Sequence, residues 1–174
     1  MLKQYWTIKH FRKGELIWEY TAKNTLANQG GEAILEYVYR GNSSYAPTEF
    51  YIRLCNDTPV VTDDLTTILN EPSTNGYYAQ VIEQSTVGFD AKAIASDGNW
   101  SITSKTVTFT AIGGDIGPIT YAYLATTGGT YDSITHIFTP DNTGKLWAFL
   151  PLSMTRTILV GDAMIYSIIV EEGN

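Results

Sequence analysis

Cysteine is almost absent from this 174-residue sequence, and the single thiol, Cys55, cannot close an intramolecular disulfide. It sits in Phe50-Tyr-Ile-Arg-Leu-Cys55, a β-prone run, so a small buried apolar role is expected of it. Charge is scarce too: 17% of residues are charged, against roughly 25% in an average soluble domain. Basic residues are the minority sign. The formal net charge is −7 and no basic block is longer than Arg12-Lys13, which argues against nucleic-acid binding through phosphate neutralisation. No apolar run approaches membrane-spanning length, and the N-terminus carries no signal-peptide core. No membrane partner is expected, and the chain should be made and kept in a reducing compartment. The N-x-S/T sequons at Asn42, Asn56 and Asn99 are then chance matches.

Assembled chemistry is missing as well. The two histidines, His10 and His136, stand alone, with no second His, Cys or carboxylate at a metal-ligand spacing, so structural or exposed roles are expected. No G-x-S-x-G elbow nominates a nucleophilic serine. A Cys55–His136 pair is conceivable, but an apolar strand would not lower the thiol pKa. Asp63-Asp64 reads as a helix cap and Glu171-Glu172 as a solvated terminus; neither is the separated acid/base pair of a glycosidase. Asp97-Gly98-Asn99 and Asp141-Asn142-Thr143-Gly144 resemble fragments of calcium loops without the spaced acidic ligands. Gly113-Gly-Asp-Ile-Gly117 is not a dinucleotide fingerprint. The expectation is a protein with no catalytic residues, no cofactor and no metal.

What the sequence does have is β-prone, aromatic-rich runs, with 12 Tyr, 4 Trp and 6 Phe. Tyr5–His10 and Glu15–Thr21 read as a hairpin with Gly14 at a position needing positive φ. Trp6 and Ile8 share one face of the first strand, and Leu16, Trp18 and Tyr20 one face of the second. One main helix is expected over about residues 26–39, with Ala27, Ile34, Leu35 and Val38 on its apolar stripe and Thr25 or Asn28 as its cap. Gly30 and Gly31 each cost that helix about 1 kcal/mol relative to Ala, which points to close packing of its first turn against backbone. A phosphate cradle is the alternative there, but no P-loop lysine follows. Glu49–Cys55, Tyr77–Glu83, Lys105–Ala111 and Ile119–Ala125 read as strands, with a helical turn or two after Thr62 and a surface loop from Gln84 to Asn99. Thr126 to Thr143 reads as a polar connection, with Gly144 in the left-handed position of a Pro-Asp-Asn-Thr-Gly turn. In Lys145–Leu150, Trp147 and Phe149 share one face and Leu146, Ala148 and Leu150 the other. Thr155–Val160 reads as a separate short strand. After the Gly161-Asp162 turn, Met164, Tyr166, Ile168 and Val170 face one way and Ile165 and Ile169 the other. A strand apolar on both faces is a central, doubly buried one. The class is mainly β: an antiparallel β-sandwich or jelly-roll-like barrel in a single domain over 1–174.

Asn24–Leu35 followed by Phe50-Tyr-Ile-Arg-Leu54, then Thr108–Ala111, Ile119–Leu124, Lys145–Leu150 and Thr157–Asp162, resemble the small virion proteins of tailed bacteriophages. The resemblance implies a virion component made in the host cytoplasm, most simply an auxiliary capsid (decoration) protein that binds the major capsid protein or other virion proteins. It carries over no catalytic residues. The alternative is a tail- or fibre-associated module for glycans or receptors. Trp6, Trp18, Tyr77, Tyr78, Trp100 and Tyr131 are the candidate interface or ligand contacts, the last four as flat faces for sugar rings. Self-association, with a trimer as the expected form, follows from the aromatic content, and the hairpin (about 4–21) is the expected assembly element.

Overall fold

The computed structural model describes residues 2–95 and 98–172, with Leu2 as backbone only; Asp97 of the first calcium-like fragment lies outside them. Two antiparallel sheets face each other. In the first, β1 (Leu2–Arg12) lies between β2 (Glu15–Lys23) and the last strand, β13 (Asp162–Glu172). The far edge of β13 pairs with β7 (Trp100–Thr103) and β8 (Val107–Thr110), and β7 carries the two-residue β6 (Ala93–Ile94). The second sheet runs β3 (Thr25–Leu26), β12 (Leu146–Ile158), β9 (Ile116–Ala125), β4 (Glu49–Cys55), β5 (Gln80–Glu83). A separate hairpin, β10 (Gly129–Asp132) and β11 (Ile137–Pro140), sits in the stretch read as a polar connection. The architecture is an open sandwich; among the described residues neither sheet closes into a barrel.

The alternation in the sequence sets most of the core. Phe50, Ile52 and Leu54 of β4, Phe109 and Ala111 at β8, and Met164, Tyr166 and Ile168 of β13 all point between the sheets. Trp6 and Ile8 join them, fully buried, and Trp18, Tyr20 and Ala22 pack partly buried against the same cluster. The first hairpin is therefore part of the core. Its turn, Lys13-Gly14, has positive φ at both residues, as a two-residue hairpin turn requires. The last strand is central, as its pattern implies, but only one of its faces is fully buried; Ile165 and Ile169 are half-buried.

The doubly buried sheet is the second one. On its outer face Cys55, Tyr123, Ala125, Leu146 and Phe149 pack under Ala27, Leu65 and Ile68. Leu65 and Ile68 come from the 56–75 connection, which forms turns where a short helix is expected: Asp64 Oδ1 accepts from the Thr66 and Thr67 amides and closes a local turn instead of capping a helix. Arg53 locks this layer. It is buried, and its guanidinium donates to Glu71 Oε1 (2.9 Å) and Oε2 (2.5 Å), Asn142 Oδ1 (2.9 Å) and the Asp141 carbonyl (3.1 Å).

β12 departs most from its sequence pattern. It is one 13-residue strand through Pro151, so Thr155–Val160 is not a separate strand. A bulge between Leu146 and Ala148 breaks the alternation. Leu146 and Phe149 share the outer face, while Ala148 and Leu150 point into the core and Trp147 packs against it. Gly144 does not take the left-handed conformation; a Cβ there would meet Thr127 Oγ1 at 2.5 Å, so closeness explains the glycine.

Candidate functional site

The bulge at Trp147 is where the helix is fastened. The chain leaves β2 and pairs through β3 with Ala148 and Phe149. The Ala27 amide then donates to the Trp147 carbonyl at 3.0 Å, and Gln29 Oε1 accepts from the Leu146 amide at 2.7 Å. A Cβ on Gly30 would lie 2.2 Å from the Trp147 carbonyl oxygen, so only glycine fits this contact. The close packing inferred from the paired glycines is real at Gly30. Gly31 meets only Leu26, at 3.8 Å.

The helix begins at Asn28, with Ala27 at the cap position and no side-chain cap from Thr25 or Asn28. After α1 (Asn28–Ile34) it widens into a π-helical turn, Leu35–Tyr39. The wider turn moves later side chains off the expected stripe. Leu35, Tyr37, Val38 (63% exposed) and Tyr39 (78% exposed) stand in solvent, whereas Leu35 and Val38 were expected inward.

Between this helix and the open side of the sandwich lies an apolar cleft of about 680 Å3. Phe50, Leu124 and Ile168 are its most buried apolar lining. Leu26, Ile34, Val38, Phe89, Trp147 and Val170 complete the apolar walls, and Lys3, Gln4, Lys23, Asn24 and Thr25 the polar rim. Trp147 meets Phe50 edge-on at 5.0 Å. Phe89 lies before β6, in the stretch expected to be a surface loop, so that stretch contributes to the site. Neither Lys3 nor Lys23 forms an ion pair among the described residues. A smaller hollow of about 330 Å3, lined by Asn56, Asn70, Glu71, Asn75 and Asp115 among others, is polar.

The residues singled out in the sequence are scattered. Trp6 is fully buried and cannot meet a partner. Tyr77 is fully buried too, its hydroxyl donating to Glu71 (2.6 Å) and accepting from the Leu54 amide (2.9 Å). Trp18 stacks on Tyr20 and carries the Arg156 guanidinium 4.8 Å from its ring centre, so its face is taken. Trp100 is exposed, with the Lys92 ammonium 4.7 Å over its ring. Tyr78 and Tyr131 do come together: their rings stack at 4.7 Å and 29°, and the Tyr131 hydroxyl is 2.8 Å from His136 Nδ1. Sequence reasoning named both but could not pair them, because Tyr131 lies in β10 and Tyr78 just before β5, 53 positions away in sequence.

The buried titratable groups His10, Arg53, Cys55 and Asp162 are committed to structure. Burial pushes the Cys55 thiol up to about 12, so it is no nucleophile at neutral pH. His10 is buried in a cluster that sequence could not show. Its Nε2 faces Asp162 Oδ2 at 2.9 Å, and its Nδ1 accepts from Arg156 at 2.7 and 3.2 Å. That geometry requires a neutral ring, and burial lowers its pKa, with the Arg156 charge adding to the effect. Burial alone would raise Asp162, but hydrogen bonds from Arg12 and His10 outweigh it and hold the carboxyl below its usual value. Among the described residues no group of three or more His, Cys, Asp or Glu could hold a metal ion. The Asp141 carboxylate is occupied by the Thr143 amide and hydroxyl.

The fold is thus an open antiparallel β-sandwich with an apolar cleft, an exposed helix face and a stacked tyrosine pair. The chain matches the family of Podophage GP4 fiber I protein gp80 over residues 25–170, and it belongs to that family. It is thus a tailed-phage virion protein of a fibre family, in line with the resemblance seen in its sequence. No curated protein matches it. The match begins after the first hairpin, although that hairpin supplies Trp6 and Ile8 to the core.

Proposed function

We propose that this chain is a non-enzymatic structural subunit of the phage fibre apparatus, held in the virion by protein–protein contacts and present in several copies. The carrying observation is the apolar cleft continuous, at Val38, with the exposed helical side chains Leu35, Tyr37 and Tyr39. Soluble monomers rarely leave so large an apolar surface uncovered unless it binds something. The family description favours a fibre position over decoration of the shell, in which the major capsid protein would be the partner. Mass spectrometry of purified virions is expected to find the protein. A virion map is expected to place it at the tail or its fibres. Absence from mature particles refutes the structural role, and density on the head lattice restores the decoration reading. A trimer remains the expected assembly.

The stacked Tyr78–Tyr131 pair favours a second reading, a contact for a sugar ring. Both rings are at least partly accessible, and a preformed aromatic platform is a low-entropy surface for a flat partner. A glycan array is expected to give hits that Tyr78→Ala abolishes. An array without hits removes this reading.

A further inference from the structure

We propose that the cleft seats the tip of the β10–β11 hairpin of a second copy of this chain, in a head-to-tail contact. The inference rests on the structural-subunit reading and names the partner of its contact surface.

The cleft states what its occupant must carry. Its walls are apolar, so a bulky apolar side chain must enter. Its rim holds Lys3 and Lys23, which form no ion pair among the described residues, in a chain of net charge −7, so a carboxylate must sit beside that side chain. The hairpin tip meets both demands. Ile134 is 89% exposed, the most exposed large apolar residue among the described ones, and Ile137 beside it is exposed as well. Asp132 lies two positions before Ile134. Hydrogen bonds from Thr135 and from the Ile134 amide keep its carboxyl below the usual value, so it is charged at neutral pH.

The tip is also preorganised. Asp132 Oδ1 accepts from the Ile134 amide at 2.8 Å, and Oδ2 accepts from the Thr135 hydroxyl at 2.7 Å. The shaft is anchored by Phe138, buried against Tyr77, and by the Tyr78–Tyr131 stack. A rigid projection loses little entropy on docking. At 89% exposure the Ile134 side chain adds almost nothing to the core of its own chain. Because tip and cleft are different surfaces, the contact is heterologous: it closes into a ring, or propagates if the rotation does not close.

The test uses the full chain. Sedimentation velocity across a concentration series is expected to show an oligomer for the natural sequence. Ile134→Asp, at an exposed tip, and Val38→Glu, at an exposed wall, are each expected to give the monomer mass with an unchanged circular dichroism spectrum. Oxidation with oxidised glutathione then tests the pairing. An equimolar mixture of Ile134→Cys and Val38→Cys chains is expected to give mainly mixed disulfide dimers, since Cys55 is buried and each new thiol would find its partner only on the other chain. A monomeric natural chain, an oligomer indifferent to Ile134→Asp, or disulfide dimers no richer in the mixed species than random pairing each overturn the proposal. If the protein is in virions yet any of these results appears, the cleft inference fails while the structural role stands.

Discussion

Removing the Glu71 carboxylate should be among the most damaging single changes in this chain. Arg53 is buried beneath the 56–75 and 126–144 connections, and Glu71 is the one anion its guanidinium touches among the described residues. Burial alone would lower the Arg53 pKa, but the hydrogen bonds to Glu71 more than offset it and hold the group firmly charged. An arginine cannot shed its proton, so Glu71→Ala leaves a buried cation with only neutral acceptors. Breaking a buried pair in this way costs about 3–5 kcal/mol. For a chain of this size that lowers Tm by roughly 6–20 °C, at about 2–4 °C per kcal/mol. Arg53→Met should cost less, because Glu71 keeps the Tyr77 hydroxyl as a hydrogen-bond donor at 2.6 Å. The double variant Arg53→Met/Glu71→Ala should be more stable than Glu71→Ala alone, since it leaves no stranded charge. Urea denaturation followed by tryptophan fluorescence gives all three, compared through the midpoint at constant m. A Glu71→Ala cost below about 1 kcal/mol, or single costs that simply add in the double variant, would refute the argument.

Trp6→Ala should destabilise the chain by about 3–5 kcal/mol, and deletion of residues 1–22 should leave no cooperative thermal transition, because the hairpin fills the core; a folded, assembly-deficient truncation would instead give the hairpin back its expected role. Gly30→Ala and Gly31→Ala should differ in sign: the first pushes a methyl into the Trp147 carbonyl and costs about 1–3 kcal/mol, while the second, in open helix, gains up to about 1 kcal/mol. Equal midpoints for the two alanine variants would contradict the close contact. The folded-state pKa of His10 lies below its unfolded value of 6.5, so its contribution to stability is present above 6.5 and is lost as pH falls through the folded value. Denaturation midpoints at pH 7.5 and 5.5 should therefore drop more for the natural chain than for His10→Gln, and identical drops would rule the histidine out as the cause.

The sequence carried the strand-by-strand alternation because alternation is local. Phe50-Ile52-Leu54, Val107-Phe109-Ala111 and Met164-Tyr166-Ile168 each obey a period of two within one run, and each faces the core or packs against it. Where one residue is inserted into a regular element, that reasoning fails. The bulge at Trp147 exchanges the partners of Leu146, and the π-turn after Ile34 turns Leu35 and Val38 outward. Both insertions flank the cleft, so the site was least legible where it is built. Only Gly30 signalled it, by its cost to the helix. The His10 cluster was invisible for another reason: Arg156 and Asp162 lie 146 and 152 positions away, and nothing local marks them as partners. The β10–β11 hairpin was hidden by its composition, since Gly129, Asp132 and Ser133 are turn formers rather than strand formers.

The cleft is assembled from two sources that differ in what they contribute. Its apolar lining from Phe50, Leu124, Trp147 and Ile168 falls within residues 25–170, the span matched to the fibre family. Both rim lysines and Gln4 come from the hairpin before that span, and Asn24 directly follows it. An apolar surface supplies most of the association energy but discriminates poorly between apolar partners, whereas unpaired charges at a rim reject a partner of the wrong sign. If the cleft docks a second copy as proposed, the matched span would make the surface adhesive and the hairpin would make it selective. Reversing both charges, Lys3→Glu with Lys23→Glu, should leave the fold intact, because neither lysine forms an ion pair among the described residues, and should weaken docking of an acidic partner. Binding measured at rising salt separates the two contributions, since screening attenuates the lysine term and leaves the apolar one. Natural and charge-reversed chains should therefore converge in affinity as salt rises; a gap that persists at high salt would mean the lysines act through packing and not through charge.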